Sequence, residues 1–437
     1  MKALTSLTAT ATKEQTLPKY DVSDLTLAAS GLARVEWAAG QMPVLSRVAE
    51  RFAAERPLEG VKIAICLHVT AETANLVRAL SSGGAEVALC SANPLSTQDD
   101  VAAALVDNDG IEVHAIHGET LAQYHEHVAA LVVGSPQIAI DDGAELIEAL
   151  HSGDNPPAAK MIGATEETTT GLVQLRALER AGALACPVIA VNESRTERAF
   201  NDRYGTGQST IDGILRATNV LLAGAVVVVI GYGWTGKGIA LRAKGLGATV
   251  IVCEVDPLRA LEARMEGFEV MPALEAASRG DVFITVTGGR EVLSAEHFVE
   301  MRDGAILANA GHFDVEIDLP ALERVCGSRR EVRPLVEEFE INGRRINLLA
   351  HGRVVNLAAA DGHPSAVMDL SFASQALVVE GLVKAADRLS AAVHPVPEEV
   401  DREVARLKLA ALGVSIDSLS DQQLAYLHVF SPAPHDG

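Results

Sequence analysis

From about Leu25 to Phe52 the apolar positions recur at helical spacing, and the pattern stops at Glu55-Arg56-Pro57, since proline cannot continue a helix. Residues 1–20 are polar and unpatterned and read as a loose arm. After Pro57 the period changes. VKIAICLHV (61–69) is an unbroken apolar run of strand length, followed by a helical pattern from Ala71 to Ser82. AEVALCSA (85–92), IEVHAIHG (111–118), QIAIDDG (137–143), AAKMIGAT (158–165) and PVIAVNES (187–194) extend the series. Apolar strands alternating with helices imply a parallel sheet covered on both faces.

A second series begins at Gly224. Its strands are VVVVIG (226–231), ATVIVCEVD (248–256), DVFITVTG (281–288) and GAILANAG (304–311). It closes with VEEFEI-Asn342-Gly343-RRINLLA, where Asn-Gly between two strand patterns marks a two-residue hairpin turn. GRVVNLA (352–358) follows in the same series. Beyond Pro395 and Pro397, a plausible boundary, the chain is helical and polar. The expected fold class is therefore α/β, with two doubly wound, Rossmann-like domains and a small helical C-terminal arm. A length of 437 residues suits two such cores better than one.

Composition narrows the function classes. The net charge of −22 argues against a nucleic-acid or anionic-membrane partner. Five scattered cysteines (Cys66, Cys90, Cys186, Cys253, Cys326) lack metal-type spacing, and three sit in or beside strand patterns as small hydrophobes. That suits a reducing compartment. The N-terminus has no apolar export segment, and the longest strongly apolar stretch, Leu221 to Gly231, is about half a membrane span. The expectation is a cytoplasmic protein.

Gly231-Tyr-Gly233-Trp-Thr-Gly236 follows the strand VVVVI directly and opens a helical pattern. Such a motif alone is weak; its context makes it specific. Gly231 permits the tight turn, Gly233 lets the backbone approach a pyrophosphate, and Gly236 lets helix and strand pack closely, with the helix amides facing the phosphates. Glu254 closes the next strand, where a carboxylate grips a ribose 2′-hydroxyl and repels a 2′-phosphate. The cofactor so read is NAD rather than NADP. Lys237-Gly238 lacks the spacing of an ATP-binding loop.

Ligands of doubly wound sheets sit beyond the carboxyl ends of strands. There the first series carries His68, Thr70 and Glu72; Asn93 with Ser96-Thr97-Gln98; Asp141-Asp142; Glu166 to Thr170; and Asn192-Glu193-Ser194. Helix capping accounts for about half of these, and His68 could be a core histidine. Five clusters at equivalent positions favour a shared cleft.

CLHVTAETA (66–74), SANPLSTQDDVAAAL (91–105), IDDGAEL (140–146), EETTTG (166–171), YGTGQSTIDGILRATN (204–219), GHFDVEID (311–318), GRVVNLAAADGHPSAVM (352–368) and SDQQLAYL (420–427) resemble, in order, the S-adenosylhomocysteine hydrolase family. The resemblance implies that bound NAD oxidises a nucleoside 3′-hydroxyl, which acidifies the C4′ proton and allows the 5′ substituent to leave. It implies proton transfers at C4′ and C5′ for His68 and Asp142, and ribose hydroxyl contacts for Glu167. Leu67, Thr70, Glu72, Thr73, Gly362, His363 and Met368 would bind substrate. Thr168, Thr169, Thr170, Asp202, Trp234, Thr235, Thr287, Asn309 and Asn356 would join Gly231, Gly233, Gly236 and Glu254 around NAD, and His312-Phe313 would lie at the access gate. By the same resemblance, residues 1–205 with 362–395 form the substrate domain, 206–361 the NAD domain, and 396–437 an arm for a homo-oligomer, dimer or tetramer.

One stretch leaves the pattern. After PVIAVN the family carries a lysine and, four residues on, Asp-Asn; this chain reads Glu197 and Asn201-Asp202. An ionised Glu197 can accept the 3′-hydroxyl proton, and by keeping it becomes a neutral donor to the same oxygen, oriented by Asn201. The tail HVFSPAPHDG (428–437) has neither lysine nor tyrosine, and Asp361 stands where the family has an apolar residue, hinting at a more polar group near the base or sugar. No metal site is expected: His125 and His127 face different sides of a helix, and with His114 and His117 read as a solvated face. Three functions follow: a diverged enzyme eliminating water from an adenine nucleoside to leave an exocyclic alkene, as in decoyinine; ordinary hydrolysis of S-adenosylhomocysteine to adenosine and homocysteine; or a silent NAD- and nucleoside-binding regulator.

Overall fold

The computed structural model describes residues 20–153, 155–311, 314–386 and 388–430. The expected arm, up to residue 19, lies outside these, as do His312 and Phe313 of the expected gate.

Two eight-stranded sheets organise the chain. The first contains β1 (Asp21–Val22), β2 (Lys62–Leu67), β3 (Glu86–Ser91), β4 (Glu112–Ala115), β5 (Ile138–Asp141), β6 (Gly163–Glu166) and β7 (Val188–Ala190). The second contains β8 (Val226–Ile230), β9 (Thr249–Cys253), β10 (Glu269–Val270), β11 (Val282–Thr285), β12 (Ala305–Asn309), β13 (Ser328–Arg333), β14 (Val336–Ile341) and β15 (Arg344–Leu349). A last strand, β16 (Val393–Pro395), returns to the first sheet beside β7. The orders are β1-β4-β3-β2-β5-β6-β7-β16 and β10-β9-β8-β11-β12-β15-β14-β13. Pairing is parallel except at the β13-β14-β15 edge. Chain direction across each sheet reverses between β2 and β5 and between β8 and β11, the crevices where such sheets hold ligands.

The apolar strands are buried, as their composition requires: Ile63 to Leu67 and Val227 to Ile230 are almost inaccessible. The Asn342-Gly343 turn has φ 53 and 77, the left-handed pair that joins twisted antiparallel strands.

Several elements differ from expectation. The Leu25–Phe52 pattern is a short 3-10 turn and two helices, Ala28–Ala39 and Pro43–Glu55, broken at Gly40 and restarted by Pro43 at the first helical turn. GRVVNLA is not a strand: Gly352 has φ 78, Val354 makes one isolated bridge to Asn309, and Val355–Ala358 is helical. β13 (SRREVR) is exposed throughout, so no apolar alternation announced it, and its charges guard an open edge. β16 contains Pro395, tolerated because the strand is at an edge.

The helix Ser365–Lys384 has the length and composition to cross a membrane, yet 67% of its most apolar window is buried inside the protein. It packs with the helices Pro43–Glu55 and Ala71–Ser82 in the core cluster that lies under the first sheet. Its Asp369 accepts the amides of Val44 and Leu45 (2.9 and 2.8 Å) and the Lys408 ammonium (2.8 Å). A buried carboxylate so completely partnered fixes three helices together.

Candidate active site

The carboxyl ends of β2, β5, β6 and β7 open into a cleft of about 340 Å³. Leu67, His68, Thr70, Glu72, Thr73, Asp142, Glu167, Thr168, Thr169, Thr170, Glu197, Asn201 and Asp202 line it from the first part of the chain. Thr235, Asn356, Gly362, His363 and Met368 line it from the other side. Residues more than three hundred positions apart therefore meet, including eighteen of the site residues expected from sequence.

Local physics explains the presentation. Thr70 caps the helix Ala71–Ser82 and Thr168 caps Thr169–Arg180, so the capping roles and the cleft coincide. Thr168 also donates to Glu166 Oε1 at 2.6 Å. Glu166, inaccessible to solvent, further accepts the amides of Gly143, Ala144 and Thr168 at 2.8–3.0 Å. It thereby ties the loop bearing Asp142 to the loop bearing Glu167. Asp141 does similar work, accepting the amides of Asp142 and Ile147.

His68 stands with Nε2 3.5 Å from Asp142 Oδ2 and Nδ1 2.7 Å from Ser96 Oγ. Those contacts orient the imidazole, with one carboxylate beside it to balance a proton. His363 is held neutral at neutral pH: burial and the neighbouring His68 push it down to about 4. Its Nε2 faces Thr206 Oγ1 at 3.0 Å and Asn356 Nδ2 at 3.4 Å, both able to donate.

Residues Glu197–Thr206 form a π-helical run, the wide form in which each amide reaches five residues back and which recurs at functional sites. Ser194 Oγ accepts the Glu197 amide at its start. Glu197 is 7% exposed and its carboxylate accepts from Asn201 Nδ2 and from Ser371 Oγ (2.9 Å to Oε1, 2.7 Å to Oε2). Burial pushes its pKa up to about 8, against the donors Ser371 and Asn201 and with Asp202 and Asp401 adding repulsion. Glu167 is likewise held well above the carboxylate range by burial, then by the charges of Glu197 and Asp142, while Gln375 donates to it at 2.9 Å. Burial raises Asp202 to about 6. Two buried carboxyls that keep their protons near neutrality can serve as donors as well as acceptors.

The second sheet contributes a site of another kind. Gly231 has φ 106, and a Cβ there would meet Val286 O at 2.6 Å. A Cβ on Gly236 would lie 2.0 Å from Gly231 O. The helix Trp234–Gly245 starts without a side-chain cap, leaving its first amides open, and nothing comes closer to a Gly233 Cβ than 3.9 Å. That cradle fits the pyrophosphate of a dinucleotide. Glu254 sits just past β9 and accepts the amides of Tyr232, Val255 and Asp256, which fixes it beside the cradle.

Other expected residues also hold the protein's own loops. Thr287 donates to Glu316 at 2.8 Å, and Asn309 donates to the carbonyls of Gly311 and Gly352, so both fasten loops at this sheet's end. Asp361 lines the cleft mouth paired with Arg216 at 2.8 Å, which neutralises the polarity its position suggested. His127 is not on a solvated face: it is 4% exposed and lies between Glu119 (2.6 Å) and Asp21 (3.1 Å). Ser371 and Gln375 were not expected at all, and Glu166, expected among the strand-end polar residues, holds the loops together from behind the cleft. Only the i, i+4 spacing of Ser371 and Gln375 on an apolar helix hinted that two polar side chains face one way.

The match to known proteins follows these two halves. A family description, S-adenosyl-L-homocysteine hydrolase, fits residues 19–158, and its NAD binding domain fits residues 202–362. The adenosylhomocysteinase of Aquifex aeolicus is 58% identical over 410 residues, 94% of this chain and 98% of its own. That of Gloeobacter violaceus is 54% identical over 96% of this chain and 98% of its own, and that of Saccharolobus solfataricus 53% over 93% and 98%. The chain belongs to the S-adenosylhomocysteine hydrolase family. The cofactor of the family's second half is NAD, and the Gly231–Gly236 cradle with Glu254 is where this member's residues fit it.

Proposed function

We propose that this protein oxidises the 3′-hydroxyl of an adenine nucleoside, removes the C4′ proton and eliminates the 5′ substituent, with Glu197 as the base at the 3′ oxygen. The observation that carries the reading is Glu197 itself, a buried carboxyl at the cleft wall beside Glu167 and Asp142. NAD held at the Gly231–Gly236 cradle supplies the hydride acceptor. Glu197 takes the hydroxyl proton and, since burial favours its neutral form, keeps it as a donor to the same oxygen. Asn201 holds the carboxyl from its own helix. Asp142 with His68 takes the proton on the neighbouring carbon and returns one to the departing group. Glu167, neutral at the ribose, donates to the remaining hydroxyl; Glu72, His363 and Met368 face the base. Asp202, Thr168, Thr169, Thr170 and Asn356, which line the same cleft, would hold the nicotinamide end.

Two leaving groups divide this reading. Loss of water from a nucleoside is favoured by the lining: among its described residues are six carboxyl side chains (Glu72, Asp142, Glu167, Glu197, Asp202, Asp361) and no lysine or arginine. With Glu167 and Glu197 holding protons and Asp361 paired to Arg216, such a wall offers hydrogen bonds to sugar hydroxyls and no lysine or arginine for the carboxylate of an amino-acid substituent. Homocysteine as leaving group, the hydrolase reaction, is favoured by the 58% identity to a named adenosylhomocysteinase.

The test incubates NAD-loaded protein with S-adenosylhomocysteine and, separately, with adenosine and other adenine nucleosides, following nicotinamide reduction by absorbance and products by mass. Loss of one water from a nucleoside supports the first leaving group and thiol release the second. Nicotinamide that stays oxidised with every nucleoside overturns the proposal and leaves a binding protein. Glu197→Gln removes the base while keeping size and hydrogen bonds, and reduction by substrate should fall roughly 10²- to 10⁴-fold.

A further inference from the structure

Three carboxylates that the strand ends bring into the cleft are each hydrogen-bonded to one helix. Ser365 Oγ donates to Glu72 at 2.5 Å, Ser371 Oγ to Glu197 at 2.7 Å, and Gln375 Nε2 to Glu167 at 2.9 Å. All three donors lie on Ser365–Lys384, and Ser371 and Gln375 are one turn apart. Met368 and Phe372 of the same helix line the cleft; Ser371 and Gln375 stand behind the acids.

The geometry points to Ser371 as a positioning residue that keeps Glu197 able to ionise and aimed at the sugar, with Gln375 holding Glu167 in the same way. This rests on the proposed role of Glu197.

The direction of the Ser371 hydroxyl is settled by its neighbours. Asn201 Nδ2 donates into Ser371 Oγ at 2.7 Å, so the serine's own proton is the one available to Glu197, 2.7 and 2.9 Å away. Ser371 is 1% exposed and acts through the carboxyl rather than on substrate. A fixed donor stabilises the ionised acid and opposes the effect of burial. The charged groups around Glu197 push the other way, Asp202 on its own helix and Asp401 from the helix Glu398–Ala411, while Glu167 on the loop after β6 faces it with its own proton held. With Arg198 turned to Asp202 and Glu193, the donors Ser371 and Asn201 are what make Glu197 usable as a base. The Ser371 position is rigid because its helix is bolted at Asp369 to Val44, Leu45 and Lys408.

The experiment compares wild type, Ser371→Ala, Ser371→Cys and Glu197→Gln, each NAD-loaded. Alanine is the better helix former, so the first variant should fold. Infrared spectra of protein carrying carbon-13 carboxyl glutamate follow the protonated acid against pH, and the band lost in Glu197→Gln identifies it. Ser371→Ala should raise that band's midpoint by about one pH unit, the value of one donor to a charged acceptor, and Ser371→Cys by less. The pH limb of nicotinamide reduction by adenosine should move with it, while the KM for adenosine stays put. A midpoint unmoved in Ser371→Ala overturns the proposal, even if activity falls. Reduction retained in Glu197→Gln sinks the base role instead, and the infrared midpoint still decides what Ser371 does.

Discussion

The two strand-end crevices are built from the same topology and opposite materials. At the second sheet the walls are glycines and open helix amides, with Glu254 as the acid and its oxygens already holding three amides. At the first sheet the walls are side chains, dominated by carboxyls whose burial keeps protons on them. One crevice needs only to fit a ligand that arrives with its chemistry. The other must move protons, and three of its acids, Glu72, Glu167 and Glu197, are held by partners on a distant helix. A backbone site fails when an atom is added; a side-chain site fails when one is exchanged.

The largest expected effect tests that contrast directly. Gly236→Ala places a methyl 2.0 Å from the Gly231 carbonyl, too close for any rotamer to relieve. The helix must move off β8, and overpacking of this kind costs about 1–3 kcal/mol. The NAD dissociation constant should rise roughly tenfold or more, measured by equilibrium titration of cofactor-stripped protein. Undiminished NAD affinity would show that the cradle is not the cofactor's seat.

Glu167→Gln is the matching exchange in the first crevice. It leaves the fold intact and should leave NAD binding unchanged, while adenosine binding weakens about 2- to 10-fold, the value of one hydrogen bond between neutral groups. Calorimetric titration with adenosine reads it. If NAD affinity fell as far as adenosine affinity, the two crevices would not be separable in this way.

Stability against pH gives a smaller signal with a definite sign. Glu197 has a folded value of about 8, above the 4.5 of a free glutamate. The folded state therefore holds its proton where the unfolded chain has lost it. The stabilisation is complete below about pH 4.5 and is lost as pH rises through about 8. The Tm should decline across that window, and Glu197→Gln, which cannot titrate, should flatten the decline. An identical slope in the variant would place the titrating group elsewhere.

What was legible in the sequence follows the same division. The glycine cradle could be read because turn, approach and packing each demand the same residue at fixed spacing, within one strand-turn-helix unit. The apolar strands could be read because burial on both faces leaves no alternative composition. The acids at the strand ends were visible individually, but their partners were not. Ser371 lies 174 residues from Glu197 and Gln375 lies 208 from Glu167, and no local period connects them. β13 and β16 escaped for the converse reason, since edge strands with one neighbour need no apolar pattern. His127 escaped because helical spacing tells which side chains share a face, not what another strand brings to meet them.

That last residue carries the smallest prediction. His127 lies between Glu119 and Asp21, each within 3.1 Å, so both ring nitrogens face acceptors and only the imidazolium satisfies both. Burial lowers its affinity for the proton, yet the Glu119 and Asp21 carboxylates reverse this and raise it above the ordinary histidine value. The stabilisation is present below the unfolded histidine pKa and is lost as pH rises through the folded one. What it fastens is β1, whose two residues pair only with β4. Deprotonation should loosen that edge alone, so amide exchange at Asp21–Val22 and His114–Ala115 should quicken with rising pH beyond its chemical trend. His127→Gln should show fast exchange there at every pH, with nucleoside and NAD binding untouched. Exchange at β1 that ignores both pH and the substitution would mean that backbone pairing alone holds the strand.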